Sequence, residues 1–559
     1  MGGQRKRVSY MADFETTTTP EDCRVWAWGM CDIEKAESVF DVAMGTNLDE
    51  FIEYISGKPS VIYFHNLAFD GSFIMDWLFR HDYSHTVERV IRPGQFCTLI
   101  SNVGKFYSIT VCWWNGVRTE FRDSYKKFNM SVEAVAKAFK QPELKGKLDY
   151  HADRPVGHQL TREERAYLAA DVLIVARALR SEFAAGMTKL TVGSDSFNEF
   201  KKLIGQRVYD KMFPVLPLSM DAEIRSAYRG GFTYADERFR GKRTRGGRVY
   251  DMNSIYPSVM YDRVLPCDEP VYFPGAPESD KRYPLYIVSI TFTAKIKPDR
   301  IPCIQVKGSS YFLATEYVKE IPEPVTLMCT NVDLALWQDH YDLDILSFNG
   351  GWKFEGVQGL FCRYIDKWME VKQNSEGGMR AIAKLHLNSL YGKFGSNPDV
   401  TPKIPILDLE TDTVKLKLGD EETKPPVYTA MAVFITAYAR DVTIRAAQQH
   451  YDVFAYADTD SLHLLIDTDP ETLEIDPAKL GAWKCEYEFD SAIYVRAKQY
   501  IERKVNGEYE AHFAGLPLDV TADMTFDRVR DGEVFKGKLI PKRVPGGIVL
   551  TETDWTLKL

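Results

Sequence analysis

"VFAYADTDS", residues 453–461, runs an apolar, strand-like segment into two acids, Asp458 and Asp460, placed two apart. On extended backbone the side-chain period is two, so both carboxylates face one way. At about 4 Å their repulsion is roughly 4 kcal/mol at an effective dielectric near 20, which calls for a counter-charge. The plain reading is a solvated hairpin tip, where Asp and Thr satisfy turn backbone groups. The competing reading is a cation site, and residues elsewhere in the chain decide between them.

Upstream, "GGRVYDMNSIYPSV" (246–259) gives a strand carrying Asp251, a tight Asn-Ser turn, and Tyr256 followed by Pro257. "RAIAKLHLNSLYGKFG" (380–395) is helical, and its Arg380, Lys384, Asn388 and Tyr391 are spaced by 4, 4 and 3, so they share one face. Cations and an aromatic ring on one stripe can grip a triphosphate and stack on a base. Alone, that stripe reads as a solvated basic face; the company of Asp251 and the 458/460 pair tips it. Together they make a two-metal polymerase site: Asp251 with Asp460, and Asp458 as a further candidate that spacing does not rank, hold the ions, and Lys384 neutralises phosphate. Such phosphoryl transfer needs positioned charge rather than covalent help. Tyr256 under the sugar would collide with a 2'-hydroxyl, so deoxynucleotides are the expected substrate.

Two further stretches fit a nucleic-acid track. "AYRGGFTY" (227–234) places Tyr228 and Arg229 before Gly230 and Gly231, where missing side chains allow close backbone approach to a phosphate. "RFRGKRTRGGR" (238–248) holds six basic residues and could line a duplex, or be an exposed hairpin tip. "KQY" adds Lys498 for the primer strand.

A second set of carboxylates stands near the N-terminus. "MADFETTTT" puts Asp13 and Glu15 on one face at the end of a strand, "HNLAFDGSF" supplies Asp70, and a helix supplies Tyr167 and Asp171 at i and i+4. Four acids from strand, loop and helix suit two hard cations with oxygen ligands, which can activate water for phosphodiester hydrolysis. Any one of these acids alone reads more simply as a cap or a solvated charge. His65, Asn66, Phe69 and Phe73 offer amide and aromatic groups to a frayed single strand, although for the two Phe a place in the core is an equal reading.

Composition bounds the class. The chain has 559 residues, 45% hydrophobic and 27% charged, as in ordinary globular proteins of several domains. No apolar run approaches the ~18 residues of a membrane span. The start "MGGQRKR" lacks a secretion-signal core, and Lys6 stands where a myristoylation motif has Ser or Thr. Nine scattered cysteines without a CxxC pair argue against a disulfide framework or structural zinc, and imply a reducing, cytoplasmic setting. The formal charge of -9 excludes a protein that is basic all over, not one with basic grooves.

Along the chain, residues 1–190 alternate strands and helices as one α/β domain, including a long helix opened by a capping box at Thr161 and Glu164. The rhythm lapses in "GMTKLTVGSDS", a boundary. Nine of the 27 prolines fall between 261 and 330, which favours strands and loops there. Residues 359–394 are helical around Gly377-Gly378, "IPILDLETDTVKLKLG" is a protruding β-hairpin, and a helix at about 428–450 leads into the opening strand.

The motifs "DFETT", "YFHNLAFDG", "YLAAD", "YRGG", "DMNSIYP", "KLHLNSLYGK", "YADTDS" and "KQY" stand in this order, and through them the chain resembles the protein-primed family B DNA polymerases from about residue 8 to its end. The resemblance implies a mixed α/β and α+β multidomain fold: a ribonuclease H-like 3'-5' exonuclease domain (1–190), then a right-hand polymerase. Its parts would be palm (191–260 and 427–530), fingers (359–394) and thumb (531–559), with two subfamily insertions. The first insertion (261–358) would help bind the terminal protein that primes synthesis. The second (395–426) would encircle DNA and support processivity and strand displacement.

Carried onto matching positions, Asp13, Glu15, Asp70 and Asp171 are exonuclease metal ligands assisted by Tyr167 and by Lys145 of "LKGKLDYH", and Thr16, Asn66 and Phe69 contact single strands. Asp251 and Asp460 are the polymerase metal ligands, and Asp458 a supporting acid. Tyr256, Lys372, Lys384 and Tyr391 belong to the nucleotide site, beside Met252, which replaces a smaller apolar residue. Ser254, Asn388, Gly392, Phe394, Lys498 and Tyr500 contact template or primer. Two Mg2+ ions per active site, with Mn2+ as an alternative, are the implied cofactors. Primer-template DNA, displaced single strand, deoxynucleoside triphosphates and the terminal protein are the implied partners of a monomer that works in the cytoplasm of an infected bacterial host.

Two other classes fit less. A stand-alone exonuclease leaves Asp251, Lys384 and Asp460 unexplained, and a non-catalytic replication scaffold would lack at least one of the metal acids.

Overall fold

The protein is described as a computed structural model that covers residues 7–88, 90–141, 146, 148–150, 152–306, 316–516, 518–521 and 524–558. The basic start at residues 1–6, with Lys6, and Lys145 lie outside the described residues. Among those described, no helix is long and apolar enough to cross a membrane.

The N-terminal unit is built on a sheet in the spatial order Ala43–Gly45, Val25–Asp32, Val8–Thr16, Ser60–Phe64, Arg118–Asp123, Phe106–Cys112, Gln95–Ile100, Ser84–His85. Val8–Thr16 runs antiparallel to Val25–Asp32 and parallel to Ser60–Phe64, so its acidic end opens beside the loop that follows Ser60–Phe64. Alternation sorts the central strand between two cores: Ile62 and Phe64 on one face, Val61 and Tyr63 on the other. The helix Arg162–Ala184 starts at the capping box read from the sequence, Thr161 Oγ1 accepting from Glu164 N at 3.1 Å and Glu164 Oε2 accepting from Thr161 N at 3.0 Å. It lies close on the sheet because Gly29 carries no Cβ, which would come within 2.9 Å of Leu168.

The second unit centres on a sheet ordered Tyr509–Phe513, Gln499–Lys504, Trp483–Arg496, Arg243–Met252, Ser461–Leu464, Phe454–Asp458, Thr233–Ala235. Helix Thr429–Gln449, buried along most of its length, and helices Val192–Ile204, Cys362–Asn374 and Gly377–Phe394 share one core with it. The Gly-Gly pair opens the last of these: Gly377 has φ 58, and a Cβ on Gly378 would meet the Phe139 ring at 2.2 Å. Among the described residues the proline-rich region forms four antiparallel strands, Leu265–Phe273, Tyr341–Val357, Leu285–Ile296 and Glu320–Thr330, and the helix Asn331–His340. Lys403–Asp408 and Thr413–Leu418 pair as a hairpin, which does not protrude as expected but packs Val414, Leu407 and Leu416 against the N-terminal core, and Val534–Val544 pairs with Gly547–Thr556 at the C-terminal end.

Candidate active sites

Asp251 closes the strand Arg243–Met252, opposite Ser461 on one neighbour and Lys484 on the other. The amide of Met252 donates to the carbonyl of Asp460 at 2.8 Å and that of Asn253 to Ala482 at 2.9 Å, which ties three strand ends together around Asp251.

The pair in "YADTDS" does not lie on one continuous strand. Asp458 ends its strand, but Thr459 takes left-handed backbone at φ 63 and Asp460 N donates to Asp458 O at 2.7 Å, so residues 459 and 460 form a two-residue turn. The turn breaks the strand period between the two acids. Asp458 accepts from Thr233 Oγ1 at 3.1 Å and is ion-paired to Lys498.

Burial, then Asp460 and Glu486, push the Asp251 carboxyl up to about 7, against the pull of Lys484. Burial also raises Asp460, with Asp458 and Glu486 adding to it. Lys484 Nζ stands 3.7 Å from Asp251 Oδ2 and 3.0 Å from Glu486 Oε1. Neither Lys484 nor Glu486 is in a motif. They share a face of Trp483–Arg496 by period two, a signal that becomes readable only once that strand is known to flank Asp251.

Above these acids lies a cationic shelf. Burial first, then Lys384, Arg380 and Lys484, hold the Lys372 ammonium below its usual range, and its Nζ donates to Ser254 Oγ at 3.3 Å. Ser254, at φ 58, caps Ile255–Asp262, whose first turn tolerates Pro257. Tyr256 and Tyr391 stack with ring centroids 3.9 Å apart and planes 23° apart. Arg380, Lys384, Asn388 and Gly392 are exposed on one face of Gly377–Phe394. Tyr228 is half-buried beside Gly395.

The two glycines of "YRGG" differ: a Cβ on Gly231 would come within 2.7 Å of Thr459, so its absence admits the "YADTDS" turn, whereas Gly230 faces open space.

Burial corrects several expected contacts. Arg229 is 5% exposed, its guanidinium 5.3 Å from the Trp337 ring centroid and drawn by Asp333, so its side chain cannot reach DNA. Phe394 sits in the core edge-on to Phe197, Phe213 and Phe361. Met252 also packs inward, leaving its backbone amide as its contribution. Tyr500 is covered by Tyr456, His463 and His512. Within 238–248, Arg238 is paired with Asp236, and Arg248 with Asp469 and Glu488, so those two are not a free basic track.

The N-terminal site is a cavity of about 760 Å³ lined by Asp13, Glu15, Thr16, His65, Asn66, Phe69, Asp70, Tyr167 and Asp171. Asp70 is held well above the usual carboxylate range by burial and then by Asp13. The Tyr167 hydroxyl, raised by burial and then by Asp171, lies 2.7 Å from that of Tyr150. Asn66 enters the helix Leu67–Arg80 at φ 78, its amide N–H donating to Asp123 Oδ1 at 3.0 Å while its side chain makes no cap bond.

Two expectations change here. His65 Nε2 donates to the Met130 carbonyl at 2.8 Å and Nδ1 lies 3.0 Å from Ser124 Oγ, so the ring is anchored to protein rather than reserved for a strand. Phe73 is fully buried, packed against Gly547, while Phe69 lines the cavity. Leu539, Val549, Leu550 and Glu552 of the C-terminal hairpin complete the wall, a contribution from the far end of the chain that no local signal announces.

Among the described residues no three His, Cys, Asp or Glu side chains form a ready-made cation cage. The donor set nevertheless fits hard divalent ions: oxygen ligands only, desolvated, and pushed toward protonation by one another, a strain that a cation relieves.

A profile of the family described as "DNA polymerase type B, organellar and viral" matches residues 54–158 and 144–474. The chain is 43% identical to the DNA polymerase of Bacillus phage phi29 over 99% of both chains, and 32% identical to that of Streptococcus phage Cp-1 over 98% of both. Its fold matches the phi29 polymerase complexed with primer-template DNA and incoming nucleotide at a TM-score of 0.94, with 42% identity, covering 99% of this chain and 100% of that one. The same polymerase complexed with single-stranded DNA matches at 0.92 with the same identity and coverage.

Proposed function

Because the chain belongs to the DNA polymerases of type B, organellar and viral, we propose that it adds deoxynucleotides at the site of Asp251 and Asp460 and removes 3'-terminal nucleotides at the site of Asp13, Glu15, Asp70 and Asp171. The observation that carries the first half is the Met252–Asp460 backbone bond, which joins the two acids beneath a shelf of lysines.

Asp251 and Asp460 would hold Mg2+, or Mn2+ in its place, and the four N-terminal acids a second pair of ions. Bound there, divalent cations neutralise phosphate charge and stabilise attacking and leaving oxygens. The chain's own groups do the rest. Lys372 and Lys384 bind the triphosphate, and the Tyr256 ring, braced by Tyr391, excludes a 2'-hydroxyl. Lys498, held by Asp458, meets the primer strand, while Ser254, Asn388 and Gly392 meet template or primer. At the other site Thr16, Asn66 and Phe69 hold a frayed 3' end and Tyr167 orients it.

The proposed setting is replication of a linear phage genome in the cytoplasm of an infected bacterium, by a monomer primed by a terminal protein and displacing the non-copied strand. Residues 261–358 would dock the terminal protein and the hairpin within 395–426 would encircle the product duplex. Full-length similarity to phage polymerases supports this setting.

The test is purified protein with Mg2+ and a primed single-stranded circle. Products much longer than the circle are expected; no extension at all rejects the reading. Asp460→Ala should stop synthesis and spare single-strand degradation, and Asp13→Ala with Glu15→Ala should do the reverse.

A further inference from the structure

The helix Leu67–Arg80 gives Asp70 to the N-terminal site from its first turn, but its later turns do something else. Ser72, Asp76 and Arg80 recur every four residues and form one stripe. Two segments distant in sequence end on it.

Arg80 grips Asp76 with two donors, Nε at 2.6 Å and Nη2 at 3.2 Å. Its Nη1 also reaches Asp412 Oδ1 at 3.2 Å and its Nη2 the Asp412 carbonyl at 3.2 Å, in the turn of the 403–418 hairpin. From the other side the amide of Gly546, in the turn of the C-terminal hairpin, donates to Asp76 Oδ1 at 3.3 Å, and Arg543 Nη1 donates to Ser72 Oγ at 3.4 Å. That turn is seated tightly. A Cβ on Gly546, at φ 90, would lie 2.3 Å from the Cys23 carbonyl oxygen, and one on Gly547 would lie 2.5 Å from the Phe73 ring. Val414 of the first hairpin and Ile548 of the second, 4% and 5% exposed, enter the same N-terminal core.

Asp76 therefore touches both arms, one directly and one through Arg80. We infer that Asp76 is a positioning residue that fastens the 403–418 hairpin and the C-terminal hairpin to this helix, closing the ring around the product duplex and setting how far synthesis runs per binding event. The inference rests on the reading that the first hairpin encircles DNA. The two arms differ in strength. The Asp76 carboxylate is 3% exposed and hard to separate from its partner, whereas the Asp412 side chain is 54% exposed and open to screening by salt. The ring opens at the hairpin.

The experiment is extension of a primed circle with a heparin trap, so that each product reports one binding event, using Asp76→Asn and Asp412→Lys. Both should shorten products by about 5-fold or more, while first-nucleotide addition at saturating DNA changes by less than about 2-fold in both, and single-strand degradation by less than about 2-fold in Asp412→Lys, which leaves the C-terminal hairpin seated. Raising KCl from about 50 to about 200 mM should shorten wild-type products more steeply than those of Asp412→Lys, because counterion release from DNA shortens both and only the wild type also loses a screened ion pair, a split that a general folding defect would not produce. Unchanged product lengths in both variants overturn the inference. Replacing residues 403–418 by a short Gly-Ser linker separates the two levels. If it preserves full-length products, the encircling reading fails and the inference with it. If it shortens products while the two substitutions do not, only the role of Asp76 fails.

Discussion

The amide of Met252 donates to the carbonyl of Asp460 across 2.8 Å, so the neighbour of Asp251 is hydrogen-bonded to Asp460 itself. The main-chain separation of Asp251 and Asp460 is thereby set by a sheet-like hydrogen bond, and only their side-chain rotamers remain to place the carboxylates. Asp458 lies outside this tie and is held by Thr233 and Lys498.

Asp460→Asn should lower single-turnover nucleotide addition by about 10³-fold or more, since a positioned charge at the reacting phosphate is lost. Asp458→Asn should cost about 10- to 100-fold, and Lys498→Ala should resemble it, because both break the same supporting pair. A larger loss for Asp458→Asn would reverse the ranking.

Tyr256→Val should raise ribonucleotide insertion relative to deoxynucleotide insertion by about 100-fold in the kcat/KM ratio, as the ring stacked on Tyr391 at 3.9 Å is removed. An unchanged ratio would mean that another group senses the sugar.

Arg440 underpins the "YRGG" loop: its Nη1 donates to the carbonyls of Arg229 at 2.8 Å and Gly230 at 3.0 Å, and its Nη2 to Asp333 Oδ1 at 2.6 Å. Asp333→Asn would leave two buried guanidinium groups without a counter-charge and should destabilise the protein by about 3 to 5 kcal/mol in thermal or denaturant unfolding. The pair Asp333→Leu with Arg440→Met should recover part of that loss. Full stability of the single variant would show the pair to be dispensable.

Glu182 and Asp195 share the single buried ammonium of Lys127, and burial pushes the Glu182 carboxyl from its ordinary 4.5 up to about 7. The folded state thus holds this proton more tightly than the unfolded chain. The stabilisation is full below about pH 4.5 and is lost as pH rises through about 7, with an upper bound of about 3 kcal/mol. Glu182→Gln should flatten the Tm profile between pH 5 and 8 and be at least as stable as wild type at pH 8. A profile as steep as wild type would place the titration elsewhere.

Local signals carried far. The capping box at Thr161, the 403–418 hairpin, the strands of the proline-rich insertion and the helix near 429–449 are all local patterns of hydrogen bonding and periodicity, and they formed as read. The acids stood out only as sets: singly each reads as a cap or a solvated charge, and the structure gathers Asp13, Glu15, Asp70 and Asp171 around one cavity. The period-two argument for Asp458 and Asp460 failed at one residue, Thr459, whose left-handed backbone turns the chain between them.

The sequence by itself determined which residues could do chemistry and which local elements would carry them, since both depend on neighbours within a few positions. Only the tertiary structure tied Asp460 by a backbone bond to the neighbour of Asp251, and stood Lys484 and Glu486 beside Asp251. It alone buried Arg229, Phe73 and Phe394, and brought residues 539–552 to the wall of the N-terminal cavity. These are outcomes of strand order and of packing between segments hundreds of residues apart. No local periodicity encodes them, because the free energy that selects them comes from burying surfaces against one another after the chain has folded back on itself.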